Sequence, residues 1–92
     1  MSQSNPTSRP LGEMKKGTQA FIRRVGGPST PHERVNRLLE MGFVEGSWVE
    51  VLHEAPFGGD PIVVRVRGAL VALRRAEASM IWVEWSEESS SG

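Results

Sequence analysis

The chain has 92 residues, 38% of them hydrophobic, a formal net charge of zero and no cysteine. A chain of this length is expected to form one domain. The lack of cysteine excludes a disulfide framework, a thiolate metal site and a cysteine nucleophile. No apolar run approaches the roughly 20 residues that a transmembrane helix needs, and the N-terminus lacks the apolar core of a signal peptide. These features predict a cytoplasmic protein without direct membrane insertion.

Charge is unevenly distributed along the chain. Residues 15–75 carry ten basic and six acidic side chains, whereas residues 76–92 carry four acidic and no basic side chains. The balanced total argues against strong non-specific binding to nucleic acid, so no nucleic-acid partner is expected. The basic excess in the middle of the chain is compatible with a face that recognises an acidic partner.

Polar segments flank the expected domain. Residues 1–9 are rich in Ser, Asn and Pro, and residues 86–92 in Ser and Glu, so both are predicted to be disordered. The structured domain is predicted to span residues 10–85.

The segment STPHERVNRLLEMGF, residues 29–43, predicts one helix. Thr30 is expected as the N-cap, with Pro31 at the first helical position and Glu33 completing a capping box. At the other end, Gly42 occupies the position of a left-handed residue and Phe43 follows it, as in a Schellman ending.

The remaining apolar segments predict five strands, at residues 18–25, 47–52, 61–67, 69–75 and 80–85. In the third of these, alternation places Ile62, Val64 and Val66 inward, and Arg65 and Arg67 outward. Five short strands and one helix predict a mainly β protein, a small and strongly bent antiparallel barrel.

Four residues are weak candidates for a metal site: His32, His53, Glu54 and Asp60. His53 and Glu54 are adjacent at a strand end and therefore point to opposite faces. The sequence contains no paired-histidine metal motif. We therefore predict no metal site within one copy of the chain, although a site shared between two copies stays open.

The glycine pair in FGGDP, residues 57–61, raises the possibility of a phosphate-binding loop. No Lys-Ser/Thr follows it, and the next element is a strand rather than a helix, which argues against a P-loop. Glycine accepts positive φ and Pro61 can begin a strand, so the segment is predicted to be a turn between strands. Ser, Thr and His show no catalytic arrangement, so no catalytic residue and no enzyme activity are expected.

Basic pairs and tryptophans are the remaining candidates for a binding surface. Arg65 and Arg67 share one strand face, and they form either an ordinary solvated face or a partner-binding patch. Trp48 and Trp82 are expected on the outside of their strands, where each is either covered by the helix or exposed as an aromatic anchor.

Five segments occur in a characteristic order: PLGEMKKGTQAFI (10–22), RLLEMGF (37–43), EGSWVEV (45–51), APFGGDPI (55–62) and LRRAEASMIWV (73–83). Together they resemble the FeoA family of bacterial ferrous-iron transport accessory proteins. One departure is the turn, because the family pattern A-P-x-G-D-P has one residue fewer than the segment here.

This resemblance implies a five-stranded SH3-like barrel with one inserted α-helix, no enzymatic activity and no required cofactor. It implies a role beside FeoB, a membrane ferrous-iron permease with a cytosolic GTPase domain, by docking on its cytosolic part and modulating uptake. The expected contact residues are Pro56, Phe57, Gly58, Gly59, Asp60, Arg65, Arg67, Arg74 and Arg75.

Two other hypotheses remain open at this point. The first is a metal-sensing module that holds Fe²⁺, or Zn²⁺ as a surrogate, through His32, His53, Glu54 or Asp60, with metal at the interface of a weak homo-oligomer. The second is nucleic-acid binding by the basic face, which would show a steep loss of affinity with added salt.

Overall fold

A computed structural model describes residues 7–85. In chain order, its elements are β1 (Thr7–Pro10), a 3-10 turn (Leu11–Glu13), β2 (Gln19–Val25), α1 (His32–Glu40), β3 (Trp48–Glu54), β4 (Ile62–Val66), β5 (Ala69–Leu73), α2 (Arg75–Ala78) and β6 (Ile81–Trp85). Within this range, neither helix has the length and apolar character needed to cross a membrane.

The described strands form one antiparallel sheet in the order β1-β6-β2-β3-β4-β5. Irregularities interrupt the β2–β6 ladder between Ile22 and Arg24, and the β3–β4 ladder between Val51 and His53. Such bulges bend a strand and increase its local twist. The predicted mainly β fold is therefore confirmed, with one strand more than expected.

Alternate residues of β2, β3, β4 and β6 build the core from one face of the sheet. Phe43 is the largest fully buried side chain. Leu73 of β5 and five residues outside the strands complete the core, the latter being Leu11, Met14, Leu38, Phe43 and Ala78. Within residues 7–85, no polar or charged side chain is fully buried, so the hydrophobic effect is the main source of stability.

The predicted start of the helix is wrong by one residue. Thr30 does not cap α1, because Pro31 occupies the N-cap position and no side chain caps the helix there. The Thr30 hydroxyl instead accepts a hydrogen bond from the Gly27 N–H at 2.9 Å. The hydroxyl therefore stabilises the turn that precedes the helix, and the capping box with Glu33 does not form.

The predicted end of the helix is confirmed. Gly42 has a φ of 111°, and its N–H donates to the Leu39 carbonyl at 3.0 Å. The Phe43 N–H donates to the Leu38 carbonyl at 3.1 Å, which completes the Schellman pattern. Because Phe43 and Leu38 are both buried, the ending also joins α1 to the core.

The sheet begins before the predicted domain boundary at residue 10. Residues 7–9, expected in a disordered segment, belong to β1, which pairs with β6 from Thr7 opposite Trp85 to Pro10 opposite Trp82. Residues 1–6 and the predicted tail at 86–92 lie outside the described residues. Residues 75–78, expected partly as strand and partly as a plain connection, form α2.

Candidate functional site

The expected contact residues fall at opposite ends of the β3–β4 hairpin. Residues 55–61 join β3 to β4, whereas Arg67 follows the far end of β4. A strand rises about 3.3 Å per residue, so these ends lie about 16 Å apart. We call the first the loop end, comprising residues 55–61, Arg74 and Arg75, and the second the groove end, comprising Gln19, Phe21, Trp48, Glu50, Arg65 and Arg67.

Arg75 holds the loop end together from within. Its Nε donates to the Gly59 carbonyl at 2.8 Å, and its Nη1 donates to the carbonyls of Gly12 and Met14, both at 2.9 Å. Its Nη2 lies 3.5 Å from Glu54 Oε1. The planar fork of arginine donors suits several acceptors at once. Arg75, expected to contact a partner, is thus committed to contacts inside the chain.

Two of the candidate metal ligands have internal roles at the same end. Asp60 Oδ1 accepts the backbone N–H of Arg75 at 2.9 Å, at the first turn of α2. Glu54 Oε2 accepts the backbone N–H of Lys16 at 2.6 Å. His32 is exposed at the start of α1 and His53 is exposed on β3. Across residues 7–85, no group of three or more His, Asp or Glu side chains is placed to hold a metal ion.

The glycine pair serves the geometry of the loop. Gly58 and Gly59 have φ angles of 78° and 70°, in the left-handed region that glycine enters without strain. A Cβ on Gly59 would lie 3.2 Å from Glu54 Oε1, so a larger residue would also crowd the Arg75 contacts. The predicted turn between strands is confirmed. Phe57 lies beside this pair and is 91% exposed.

An aromatic pair dominates the groove end. Phe21 on β2 lies directly opposite Trp48 on β3, with ring centroids 4.0 Å apart and ring planes tilted by 34°. Trp48 is 56% exposed and Phe21 is 38% exposed. Trp48 is therefore exposed rather than covered by the helix. Trp82 differs, because it is half-buried and the Arg24 guanidinium lies 5.4 Å from its ring centroid.

A shallow groove of about 340 Å³ runs beside Trp48. Gln19, Glu50 and Arg65 occupy successive opposing positions on β2, β3 and β4 along it. Arg65 Nη1 lies 3.8 Å from Glu50 Oε1, at the outer limit of an ion pair. The groove therefore offers an aromatic wall next to a loosely paired charge.

Arg67 lies at the end of this groove in an unfavourable backbone conformation. Its φ is 49°, and with Gly68 at 82° it forms the two-residue turn between β4 and β5. Turns of this kind strongly prefer Asn-Gly, and a left-handed conformation costs an ordinary residue about 1–2 kcal/mol. Arg67 forms no ion pair with the residues the structure describes. Its guanidinium is thus available to a partner.

Phe21 was not among the residues predicted to form the site. The alternation that places Ala20 and Ile22 inward also places Phe21 outward, and that signal was present in the sequence. What it could not supply was the register, because only the pairing of β2 with β3 brings Phe21 opposite Trp48.

The chain matches a known protein family over most of its length. The FeoA domain family model matches residues 9–84. A fusion of Fe(2+) transport protein A with the Fe(2+) transporter FeoB from Porphyromonas gingivalis is 42% identical over 74 residues, which is 80% of this chain and 8% of that relative. The chain thus corresponds to a small part of that curated protein.

Solved structures agree with the family match. FeoA from Stenotrophomonas maltophilia, complexed with zinc and described as a prokaryotic SH3 domain protein, is 34% identical with a TM-score of 0.70, covering 80% of this chain and 87% of that one. FeoA from Chlorobium tepidum is 40% identical with a TM-score of 0.69, covering 82% and 68%. The fold is therefore SH3-like, and the chain belongs to the FeoA family, which is linked to ferrous iron transport.

Proposed function

We propose that this chain is a non-enzymatic accessory domain that binds the cytosolic part of a FeoB-type permease and modulates ferrous iron uptake. The fusion of the two partners in Porphyromonas gingivalis supports this proposal. Joining two modules in one chain turns their encounter into an intramolecular event at high effective concentration. Such an arrangement suits a domain that acts by touching the transporter.

The observation that carries the proposal is the exposed Phe21–Trp48 pair beside Arg65 and Arg67. Trp and Arg are enriched among the residues that dominate binding energy at protein interfaces. An aromatic ring held by its cross-strand neighbour also loses little freedom on binding. We infer that the groove end is the main contact surface.

In this proposal the loop end contributes less than the groove end to binding of the permease. Arg75 and Asp60 already bond within the chain, so a partner would have to break those contacts to use them. Pro56, Phe57 and Gly58 remain exposed. Phe57 is the single large apolar side chain of this loop, and among the described residues it has no stacked aromatic neighbour such as Phe21 provides for Trp48.

Calorimetry with the cytosolic domain of the cognate FeoB, in its GDP and GTP-analogue states, tests the proposal. Trp48→Ala should weaken binding about tenfold or more, which corresponds to about 1.4 kcal/mol. The control is Phe57→Ala, which removes a still more exposed aromatic ring at the loop end and should leave the affinity within about twofold. Absence of binding by the unmodified chain at high micromolar concentration in both states would sink the proposal.

A metal-sensing role is the second candidate, supported by the zinc complex of the Stenotrophomonas maltophilia relative. In this chain Glu54 and Asp60 bond to backbone N–H groups, which leaves His32 and His53 as the freer ligands. Since zinc sites usually need three or four ligands, a second copy would have to complete the site. Zn²⁺ calorimetry and anaerobic Fe²⁺ calorimetry, each combined with sedimentation, test this role. Binding without dimerisation, or binding unchanged in His53→Ala, would contradict it.

A further inference from the structure

The strand β5 is an exposed edge of the described sheet. Its five residues, Ala69–Leu73, are all apolar and carry no charge. Leu70 is 64% exposed, and Ala69 and Ala72 are exposed as well. Natural edge strands usually carry a charge, a proline or a bulge that blocks further pairing. The β4–β5 ladder is regular and β5 has none of these.

The backbone of β5 has free hydrogen-bonding groups on its outer side. Val66 and Ala69 flank the two-residue turn and form a hydrogen-bonded pair. Hydrogen-bonded and non-hydrogen-bonded pairs alternate along an antiparallel ladder, so the next hydrogen-bonded pair is Val64 with Val71. The N–H and C=O groups of Leu70 and Ala72 therefore point away from β4. Among residues 7–85, no other backbone group pairs with them.

Exposed arginines lie at both ends of this edge. Arg67 precedes β5 and Arg74 follows it, and both are exposed. Neither forms an ion pair within the described part of the chain. The edge thus combines an uncharged centre with positive ends.

We propose that β5 accepts an extended segment of a protein partner as an added strand, and that this segment has an apolar centre with an acidic residue at each end. Backbone hydrogen bonds to Leu70 and Ala72 would provide the pairing. Arg67 and Arg74 would select the acidic ends by charge complementarity.

A second copy of this chain fits the edge less well. Antiparallel pairing of two β5 strands would bring Arg67 of one copy against Arg74 and Arg75 of the other. Like charges directly opposite each other destabilise a strand pair. The charges therefore favour an acidic segment over self-association.

A synthetic probe tests this inference without the permease, so its outcome is independent of the proposed function. The probe is an eight-residue peptide with a glutamate at each end and alternating valine and threonine between. Its control has a lysine at each end and the same interior. At low salt, the glutamate-ended peptide should bind about tenfold or more tightly than the control, and the preference should fall with added salt. Hydrogen exchange of the Leu70 and Ala72 amides should slow by about tenfold or more at saturation.

Two variants sharpen the test. Ala72→Pro removes an outward N–H without removing a bond to β4, and proline is tolerated at strand edges, so it should abolish binding. If that variant does not fold, the double variant Arg67→Asn and Arg74→Gln should erase the preference for glutamate ends. Three results would overturn the inference: equal binding of both peptides, protection at amides away from β5, or concentration-dependent protection of Leu70 and Ala72 without any peptide.

Discussion

The two ends of the β3–β4 hairpin carry similar residue types, but they differ in how far these side chains bond to other residues of the chain. At the loop end, Arg75 reaches acceptors in three separate segments, and the nearby carboxylates accept backbone N–H groups. At the groove end, Trp48 is more than half exposed and Arg67 forms no ion pair among the described residues. The charges and glycines of the loop end therefore form an internal brace, a set of contacts that joins separate segments of the chain. The aromatic pair of the groove end lies on the surface that is freer to bind a partner.

Removing the Arg75 side chain should have the largest effect on stability. Arg75→Met would leave the Gly59, Gly12 and Met14 carbonyls without a donor, and we expect the free energy of unfolding to fall by about 2–4 kcal/mol. Chemical denaturation measures this change. The neighbouring Arg74→Met is the control, since Arg74 is exposed and should change stability by less than about 0.5 kcal/mol. Equal effects of the two variants would show that Arg75 is not the brace.

Gly12 tests the same brace from the opposite side. A Cβ on Gly12 would overlap the Arg75 carbonyl and come within 2.6 Å of Ser79 Oγ. Gly12→Ala should therefore lower the free energy of unfolding by about 1–3 kcal/mol, as expected for overpacking. Gly27→Ala is the control, because nothing lies within 4 Å of its Cβ position. A thermal melt in which both variants behave alike would contradict the close approach of the 3-10 turn and α2.

Replacing Trp48 should affect binding more than stability, unlike the replacements of Arg75 and Gly12. Trp48→Ala removes one ring of a half-exposed pair, so we expect the free energy of unfolding to fall by about 1 kcal/mol or less. Its loss of affinity for the FeoB cytosolic domain should be the larger change. Denaturation and calorimetry on the same preparation compare the two. A large stability loss with unchanged affinity would assign the ring a structural role instead.

Arg67→Asn should give a small change in stability, opposite in sign to the changes expected for the other variants. Arg67→Asn keeps the turn and suits its left-handed conformation better, so the free energy of unfolding should rise by up to about 1 kcal/mol. Affinity for the FeoB domain should nevertheless fall a few-fold, because a free guanidinium is lost. A variant that is more stable and binds equally well would remove Arg67 from the contact surface.

The sequence predicted most of the fold because its local signals were strong. Alternating apolar residues located the five strands β2 to β6, and the Gly42–Phe43 pair located the end of α1. The prediction of Thr30 as the N-cap was wrong, because a hydroxyl near a helix start can equally bond to the preceding turn, as it does with Gly27. β1 was missed since four residues give too short a pattern, and its strand character depends on pairing with β6.

The candidate site was less predictable than the fold. The sequence placed Asp60 and Arg75 on one expected contact surface, and it placed Arg65 and Arg67 there too. Arg75 is unavailable to a partner because of its contacts with residues far away in the chain, such as Gly12 and Met14. No local pattern reports such contacts. Likewise, the aromatic pair exists only because the β2–β3 register sets Phe21 opposite Trp48.

A chemical-shift map separates the two ends most directly. Isotope-labelled protein is titrated with the FeoB cytosolic domain, and amide shifts are recorded across the domain. We predict that the largest shifts cluster at Gln19, Phe21, Trp48, Glu50, Arg65 and Arg67, with the Trp48 indole N–H among them. Shifts concentrated in residues 56–60, with the groove end unchanged, would contradict the assignment of the groove as the contact surface.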